Sequence, residues 1–414
     1  MSLAKAPQSL VIMVSCVTLA CSPGTKSEAA SLPMVRPGID VLLEDSLHLV
    51  DGRRVGLITN HTGVDRAGRS TIDRLAEAEG VDLVALFSPE HGIRGAEEAG
   101  EQVDDGRDAK TDLPVHSLYG STLRPTPEML GGIEALLFDI QDIGARYYTY
   151  VSTMALGMEA AGDAGIPFIV LDRPNPIGGE QVQGNVLSDG FSSFVGMYPV
   201  PMRHGMTPGE LAEMFVGEFG LDAELHVVPA DGWQRGLAFD ETGLPWIGPS
   251  PNMPSIASAT HYAGTCLFEG TNLSVARGTD RPFQQIGAPW LDGALLASRL
   301  TEYGLHGVRF EATTFTPESP GDGKFDGETV QGVRLFALDD TYDPTLAAVA
   351  ILVESRRMSG DRWRWRESHF DRLAGTDQIR LGLEAGQTVF EIRAGWDTDL
   401  ATFTRLRERY LVYP

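Results

Sequence analysis

The chain has 414 residues, enough for one large domain or two ordinary ones with real cores. Its balance is acidic, 57 Asp and Glu against 33 Lys and Arg for a net charge of −24. That field repels nucleic acid and anionic lipid surfaces and excludes both as partners of the folded body, though one local arginine outweighs it for a small substrate.

Residues 9–20, SLVIMVSCVTLA, form an apolar run behind Lys5 that is too short to span a bilayer. Ala20 then precedes Cys21, as in a bacterial lipoprotein signal whose cysteine is acylated after cleavage, although Thr18 stands where leucine is usual. The expected layout is a signal peptide over 1–20, a tether over 21–35 beginning at lipidated Cys21, and an exported, envelope-facing protein. A plain secretory signal is the alternative. With Cys16 removed and Cys21 lipidated, Cys266 is left alone. It reads as a small buried hydrophobe, and no cysteine cluster exists for zinc.

From 36 to 195 short apolar runs alternate with helical stretches. Strands are predicted at 54–59, 81–87, 113–119, 134–140 and 166–172, and helices at 70–80 and 153–165, both ending in glycine. Continuous apolar strands alternating with amphipathic helices imply a parallel sheet covered on both faces, hence a Rossmann-like doubly wound α/β domain. The turn after the first strand, NHTGVDRAG, lacks the dinucleotide glycines, so no NAD or FAD is inferred; no Walker loop or G-x-S-x-G elbow is present either. The second half, 196–414, reads as a smaller α+β domain closing a cleft. It has a helix at 207–220 with Thr207, Pro208 and Glu210 in capping positions, strands at 307–315 and 330–338, and helices at 343–358 and 397–411. Region 229–290 shows few periodic elements. A structureless loop of that length would be unusual, so it reads as functional surface or unrecognised structure.

In an open parallel sheet, ligands bind outside the carboxyl ends of the strands. Those ends carry Asn60 and His61, Glu90 and His91, Asp142 with Arg146, Tyr147 and Tyr148, and Arg173 with Asn175. Turn chemistry does not need so many titratable groups. Each residue also has a plainer reading: Asp172–Arg173 as an ion pair, Asn60–His61 as a helix cap, the tyrosines as core. Glu90, between Pro89 and His91, sits where burial can turn a carboxylate into a proton donor. The second half offers Arg203, His204, Asn252, Glu269, Asn272, Arg277 and Arg281. Glu90 and Glu269 opposed across a cleft would be the paired carboxylates of glycoside hydrolysis.

Six stretches then carry a resemblance: SPEHGIRG, FDIQDIGARYYTY, DRPNPIGG, RHGMTPGE, PSPNMPS and LFEGTNLSVARGTDRPFQQIGAPW. Together, in this order over about 38–414, the chain resembles the exo-β-N-acetylmuramidase (NamZ-like) family of peptidoglycan hydrolases. The resemblance implies release of terminal β-linked N-acetylmuramic acid from the non-reducing end of peptidoglycan fragments, without a cofactor or metal, at a Rossmann-like catalytic domain. It implies Glu90 as catalytic carboxylate. Our reading adds His91 and Glu269 as further catalytic groups, the remaining strand-end and second-half residues as substrate binders, and Arg277 or Arg281 on the lactyl carboxylate. Ala276 stands where the family usually has glycine. Two other classes stay open. A metal-dependent hydrolase would use His61, His91, His204 or His261, which lack H-E-x-x-H spacing; a non-catalytic, lipid-anchored glycan-binding protein would not need Glu90.

Overall fold

The computed structural model describes residues 1–2, 34–93 and 105–414; the signal segment and Cys21 lie outside them, as do the last residues of SPEHGIRG. The segment Pro33–Pro414 is one compact unit.

Among the described residues the strands are β1 (Arg54–Thr59), β2 (Asp82–Ser88), β3 (Gly106–Arg107), β4 (Pro114–Ser117), β5 (Ala135–Asp139), β6 (Phe168–Leu171), β7 (Gln183–Val186), β8 (Pro201–Arg203), β9 (Leu225–Val228), β10 (Gln285–Ala288), β11 (Val308–Phe315) and β12 (Val330–Ala337). The helices are α1 (Gly38–Asp45), α2 (Thr71–Glu77), α3 (Tyr150–Ala164), α4 (Pro208–Phe219), α5 (Ile256–Thr265), α6 (Gly293–Glu302), α7 (Pro344–Ser359), α8 (Glu367–Ala374), α9 (Gln378–Glu384), α10 (Val389–Ala394) and α11 (Asp397–Arg407).

The large sheet has the order β3-β4-β2-β1-β5-β6-β9, and every pairing except β3 with β4 is parallel. The chain builds outward from β1 through β2 to β4, then crosses to β5 and builds through β6 to β9. The direction reverses between β1 and β5, which opens a crevice at their carboxyl ends. This is the doubly wound, Rossmann-like arrangement. The sheet runs past residue 195: its last strand comes from Leu225–Val228, paired with β6. Val35, expected at the end of the tether, is already buried with Ala230, Trp233 and Tyr413.

Local sequence chemistry accounts for the boundaries. Thr207 and Glu210 form the expected capping box of α4, with Pro208 at the first turn, and Gly220 stops the helix at φ +72°. Helix α3 starts at Tyr150, ahead of the predicted 153, and ends at Gly165 with φ +65°. One face of the sheet packs Leu57, Leu86, Leu137 and Ile169 under α1 and α2. The other packs Ile58, Phe87, Phe138 and Val170 under α3 and α4. That second core continues without a break into Tyr262, Phe283 and the apolar face of α7, so the smaller C-terminal part shares packing with the sheet. There the antiparallel sheet β10-β12-β11 is backed by α5, α6 and α7. Region 229–290 is structured after all: it holds β10 and α5, whose Ala, Ser, Thr and Gly content gives a weak periodic signal.

Candidate active site

A cleft of about 400 Å³ lies where the carboxyl edge of the large sheet meets the C-terminal part. The sheet side contributes Glu90 and His91 after β2, Tyr119 after β4, and Tyr147, Tyr148 and Thr149 after β5. The facing side contributes Ser250 and Met253, Tyr262 from α5, then Glu269, Arg277 and Phe283. Helix α8 and the residue before it add Arg366, His369 and Arg372.

Glu90 is 9 % exposed, and its Oε2 accepts a 2.6 Å hydrogen bond from Thr149 Oγ1. The Tyr119 phenol, half-buried, is pushed up by burial and by the charge and hydrogen bond of Glu90. His91 is buried with φ +71°, a left-handed backbone that is uncommon outside glycine and marks a tightly specified turn.

On the facing side Arg277 reaches Glu269 Oε1 through Nε (2.7 Å) and through a terminal nitrogen (2.6 Å), with the guanidinium 5.2 Å from the centre of the Phe283 ring. Burial alone would raise the Glu269 carboxyl, but Arg277, with Lys324 and His369 behind it, holds it below the ordinary value. Glu269 is therefore an anion in a largely desolvated wall. Cys266 Sγ lies 3.8 Å from Glu269 Oε2; burial first, then that charge, pushes its thiol up, consistent with an inert buried cysteine. The Tyr147, Tyr148, Tyr262 and Phe283 rings meet edge to face as an aromatic floor.

Of the residues expected from sequence, Glu90, His91, Tyr147, Glu269 and Arg277 line this cleft. The others lie around it. Asn60 turns its Oδ1 back on Thr62 N (2.9 Å) and Thr62 Oγ1 (2.6 Å). His61 Nε2 is 2.8 Å from Gly248 O and ties the β1 loop to the facing segment; burial lowers its pKa. Asp142 Oδ2 accepts from Gly144 N at 2.7 Å and sits 3.8 Å from His204 Nε2. Burial pushes Asp142 up to about 7 and His204 down to about 3.

The arginines after β5, β6 and β8 are consumed inside the fold. Arg146 donates to four carbonyls, those of Asn185 (2.9 Å), Val200 (3.0 Å), Leu373 (3.1 Å) and Ala374 (2.7 Å). Arg173 pairs with buried Asp139 and not with Asp172, the partner the plainer reading gave it; Asp172 instead accepts from Thr207, Gly209 N and Tyr413. Arg203 bonds Gln183 Oε1 (2.9 Å) and Ile177 O. Asn175 bridges Met206 O and Ile177 N, and Asn272 bridges Arg362 O and Arg364 N. Asn252 is half-buried next to Met253, and Arg281 faces exposed Asp280 at 3.3 Å. The terminal nitrogens of Arg146 and Arg203 are spent on buried oxygens and their Nε atoms are sealed inside the fold, which is why strand-end position alone over-counted substrate binders.

His261, one of the histidines weighed for a metal, is buried on α5 with Nδ1 2.8 Å from Tyr342 Oη. Among the described residues no three His, Cys, Asp or Glu side chains gather as a metal site. Sequence reasoning missed Tyr119, Thr149, Arg366, His369 and Arg372. The signal for the last three was there: DRWRWRESHFDR (361–372) is an arginine-rich run in an acidic chain.

Fold and cleft together define a class: a two-lobed α/β protein with a Rossmann-like sheet, in which Glu90 on one lobe and Glu269, with Asp322, on the other bring carboxyl groups to a sugar-sized cleft, as carboxylate-dependent glycosyl chemistry requires. The chain belongs to the NamZ exo-β-N-acetylmuramidase family: the model of the family's N-terminal part matches residues 55–257 and that of its C-terminal part residues 260–413. It is 44 % identical over 406 residues to the peptidoglycan β-N-acetylmuramidase NamZ of Bacillus subtilis strain 168, covering 97 % of both chains. Two DUF1343 family proteins from Bacteroides fragilis, known from crystal structures, share the fold. One has a TM-score of 0.86 at 40 % identity and the other 0.74 at 31 %, each match covering 92 % of this chain and 99 % of that one.

Ala276, before RGTD, has φ +60°, the left-handed region that glycine enters without steric cost.

Proposed function

We propose that this protein is an exo-acting glycoside hydrolase that releases terminal β-linked N-acetylmuramic acid from the non-reducing end of peptidoglycan fragments. The observation that carries the reading is the pairing of Glu90 and Glu269 on one cleft, the second held as an anion by Arg277. Glu90 donates its proton to the glycosidic oxygen as the bond to the anomeric carbon breaks, with Thr149 Oγ1 fixing the carboxyl rotamer. Anionic Glu269 meets the positive charge that builds on the ring; a water oxygen then bonds to the anomeric carbon, and the proton it loses restores Glu90. His91 orients the Glu90 loop. Catalysis belongs to the sheet-bearing lobe, and the part from about residue 260 closes over it, in line with where the two family models meet.

Glu90→Gln tests this. The amide keeps the shape and an acceptor for Thr149 but has no acidic proton. Turnover of a chromogenic β-N-acetylmuramide is expected to fall about 10²–10⁴-fold with KM little changed. Equal activity in variant and wild type would remove Glu90 from the mechanism, and no turnover by wild type would favour the glycan-binding reading.

We place the enzyme at the bacterial cell envelope, held by acylated Cys21. No described helix is long and apolar enough to cross a membrane. Radiolabelled palmitate should enter the wild-type chain and not Cys21→Ser; label retained in the variant would rule the anchor out.

A further inference from the structure

The cations of the cleft fall into two groups. Arg277 is neutralised by Glu269, and Lys324 beside it donates to Phe268 O (3.1 Å) and Leu273 O (2.9 Å), with Asp322 at 3.7 Å. Arg366 and Arg372 have no carboxylate partner among the described residues, although both line the cleft of a chain with net charge −24.

Their placement is specified by the fold. Arg366 N donates to Gly270 O at 2.8 Å, next to Glu269, and Thr271 bridges to Trp365 one residue earlier. Asn272 pins the strand leading there through Arg362 O and Arg364 N, and Trp365 packs on Phe370 with ring centres 4.7 Å apart. Arg372 is steered by His369, whose Nδ1 lies 2.7 Å from the guanidinium NH2. Burial, then Arg372, pushes that imidazole down to about 4, so it is neutral and accepts the bond. Arg372 also acts electrostatically on Tyr119, the phenol bonded to Glu90. Helix α8 and the residue before it thus bring one guanidinium to the Glu269 side of the cleft and another to the Glu90 side, neither paired with a carboxylate among the described residues.

We propose that Arg366 and Arg372 form the receptor for the lactyl carboxylate, the one anionic group that separates a muramic acid from a glucosamine residue. The proposal rests on the muramidase reading and replaces Arg277 and Arg281 in that role. Arg277 is committed to Glu269, and Arg281 stands outside the cleft beside Asp280.

The test compares three β-glycosides: N-acetylmuramide, its neutral lactyl amide, and N-acetylglucosaminide. Charge-assisted hydrogen bonds of this kind separate charged from neutral ligands by about tenfold to a hundredfold. Wild type should prefer the muramide over its amide by that factor in kcat/KM. In Arg366→Gln/Arg372→Gln the ratio should collapse toward one, each single variant lying between. An unchanged ratio in the double variant overturns the proposal.

Calorimetric binding of free N-acetylmuramic acid and N-acetylglucosamine to Glu90→Gln protein, with and without the two arginines, reads the receptor apart from turnover. A preference for the acid that vanishes with the arginines, in an enzyme that cleaves no muramide, sinks the hydrolase reading and keeps the receptor. No preference for the acid sinks the receptor.

Discussion

Replacing Arg277 by methionine removes the charge that keeps Glu269 ionised while retaining much of the side chain's length against Phe283. Both members of the pair are largely buried, at 13 % and 16 % side-chain exposure. Removing one partner of such a pair leaves an uncompensated charge, at a cost of about 3–5 kcal/mol, whereas an exposed pair contributes at most about 1 kcal/mol. Lys324 remains nearby, so the lower end of the range is expected.

The sign with pH follows from the direction of the shift. The Glu269 carboxyl is depressed in the folded protein, so the pair's stabilisation is present above the unfolded carboxyl value and is lost as pH falls through the folded one. The deficit of Arg277→Met is therefore largest near neutrality and shrinks in acid. With Arg277 gone, burial raises the Glu269 carboxyl against the weaker pull of Lys324, and the acid limb of the kcat/KM profile moves to higher pH. Urea unfolding at pH 7 and pH 4, together with that profile, measures both effects. Arg277→Met/Glu269→Gln should recover a good part of the stability without recovering activity, because it removes the stranded charge and the catalytic carboxylate together. A neutral-pH loss below about 1 kcal/mol, the range of exposed pairs, or an unmoved acid limb, would refute the picture of Glu269 as a buried, arginine-held anion.

Arg146→Gln should cost several kcal/mol in urea unfolding, since hydrogen bonds to a charged donor contribute about 1.5–3 kcal/mol each and it holds four carbonyls. KM of the folded variant should stay put; a small stability loss with a tenfold higher KM would instead make Arg146 a substrate binder. Ala276→Gly should be near neutral in thermal unfolding. Relief of a left-handed alanine, about 1 kcal/mol, offsets loss of a buried methyl of about 0.8 kcal/mol beside Phe315 and Val330. A clear loss would show that the backbone there is unstrained.

Much of the sheet could be read from the chain because local rules and tertiary outcome agree there. RVGLIT is buried at five of six positions of β1, and an apolar run that short between turn residues has few other stable fates. Thr207 and Glu210 announce α4 because a capping box is satisfied within a single turn. Helices α5 and α8 escaped for opposite reasons. The small residues of α5 are chosen for close approach: a β-carbon on Gly264 would fall 1.9 Å from Pro344 O. Helix α8 is short, and its residues ESHFDRLA, with Arg366 before them, look solvated until the cleft forms around them.

The sequence by itself determined the alternation of strands and helices, the polar strand ends and the motifs that place the chain in its family, because each depends on neighbours a few residues apart. Only the tertiary structure decided which charges face a ligand. Arg146, Arg173 and Arg203 look as available in the chain as Arg366 and Arg372. Whether a guanidinium meets buried carbonyls, a carboxylate or an open cleft is set by segments up to 228 residues away in the chain, and no local pattern encodes that meeting.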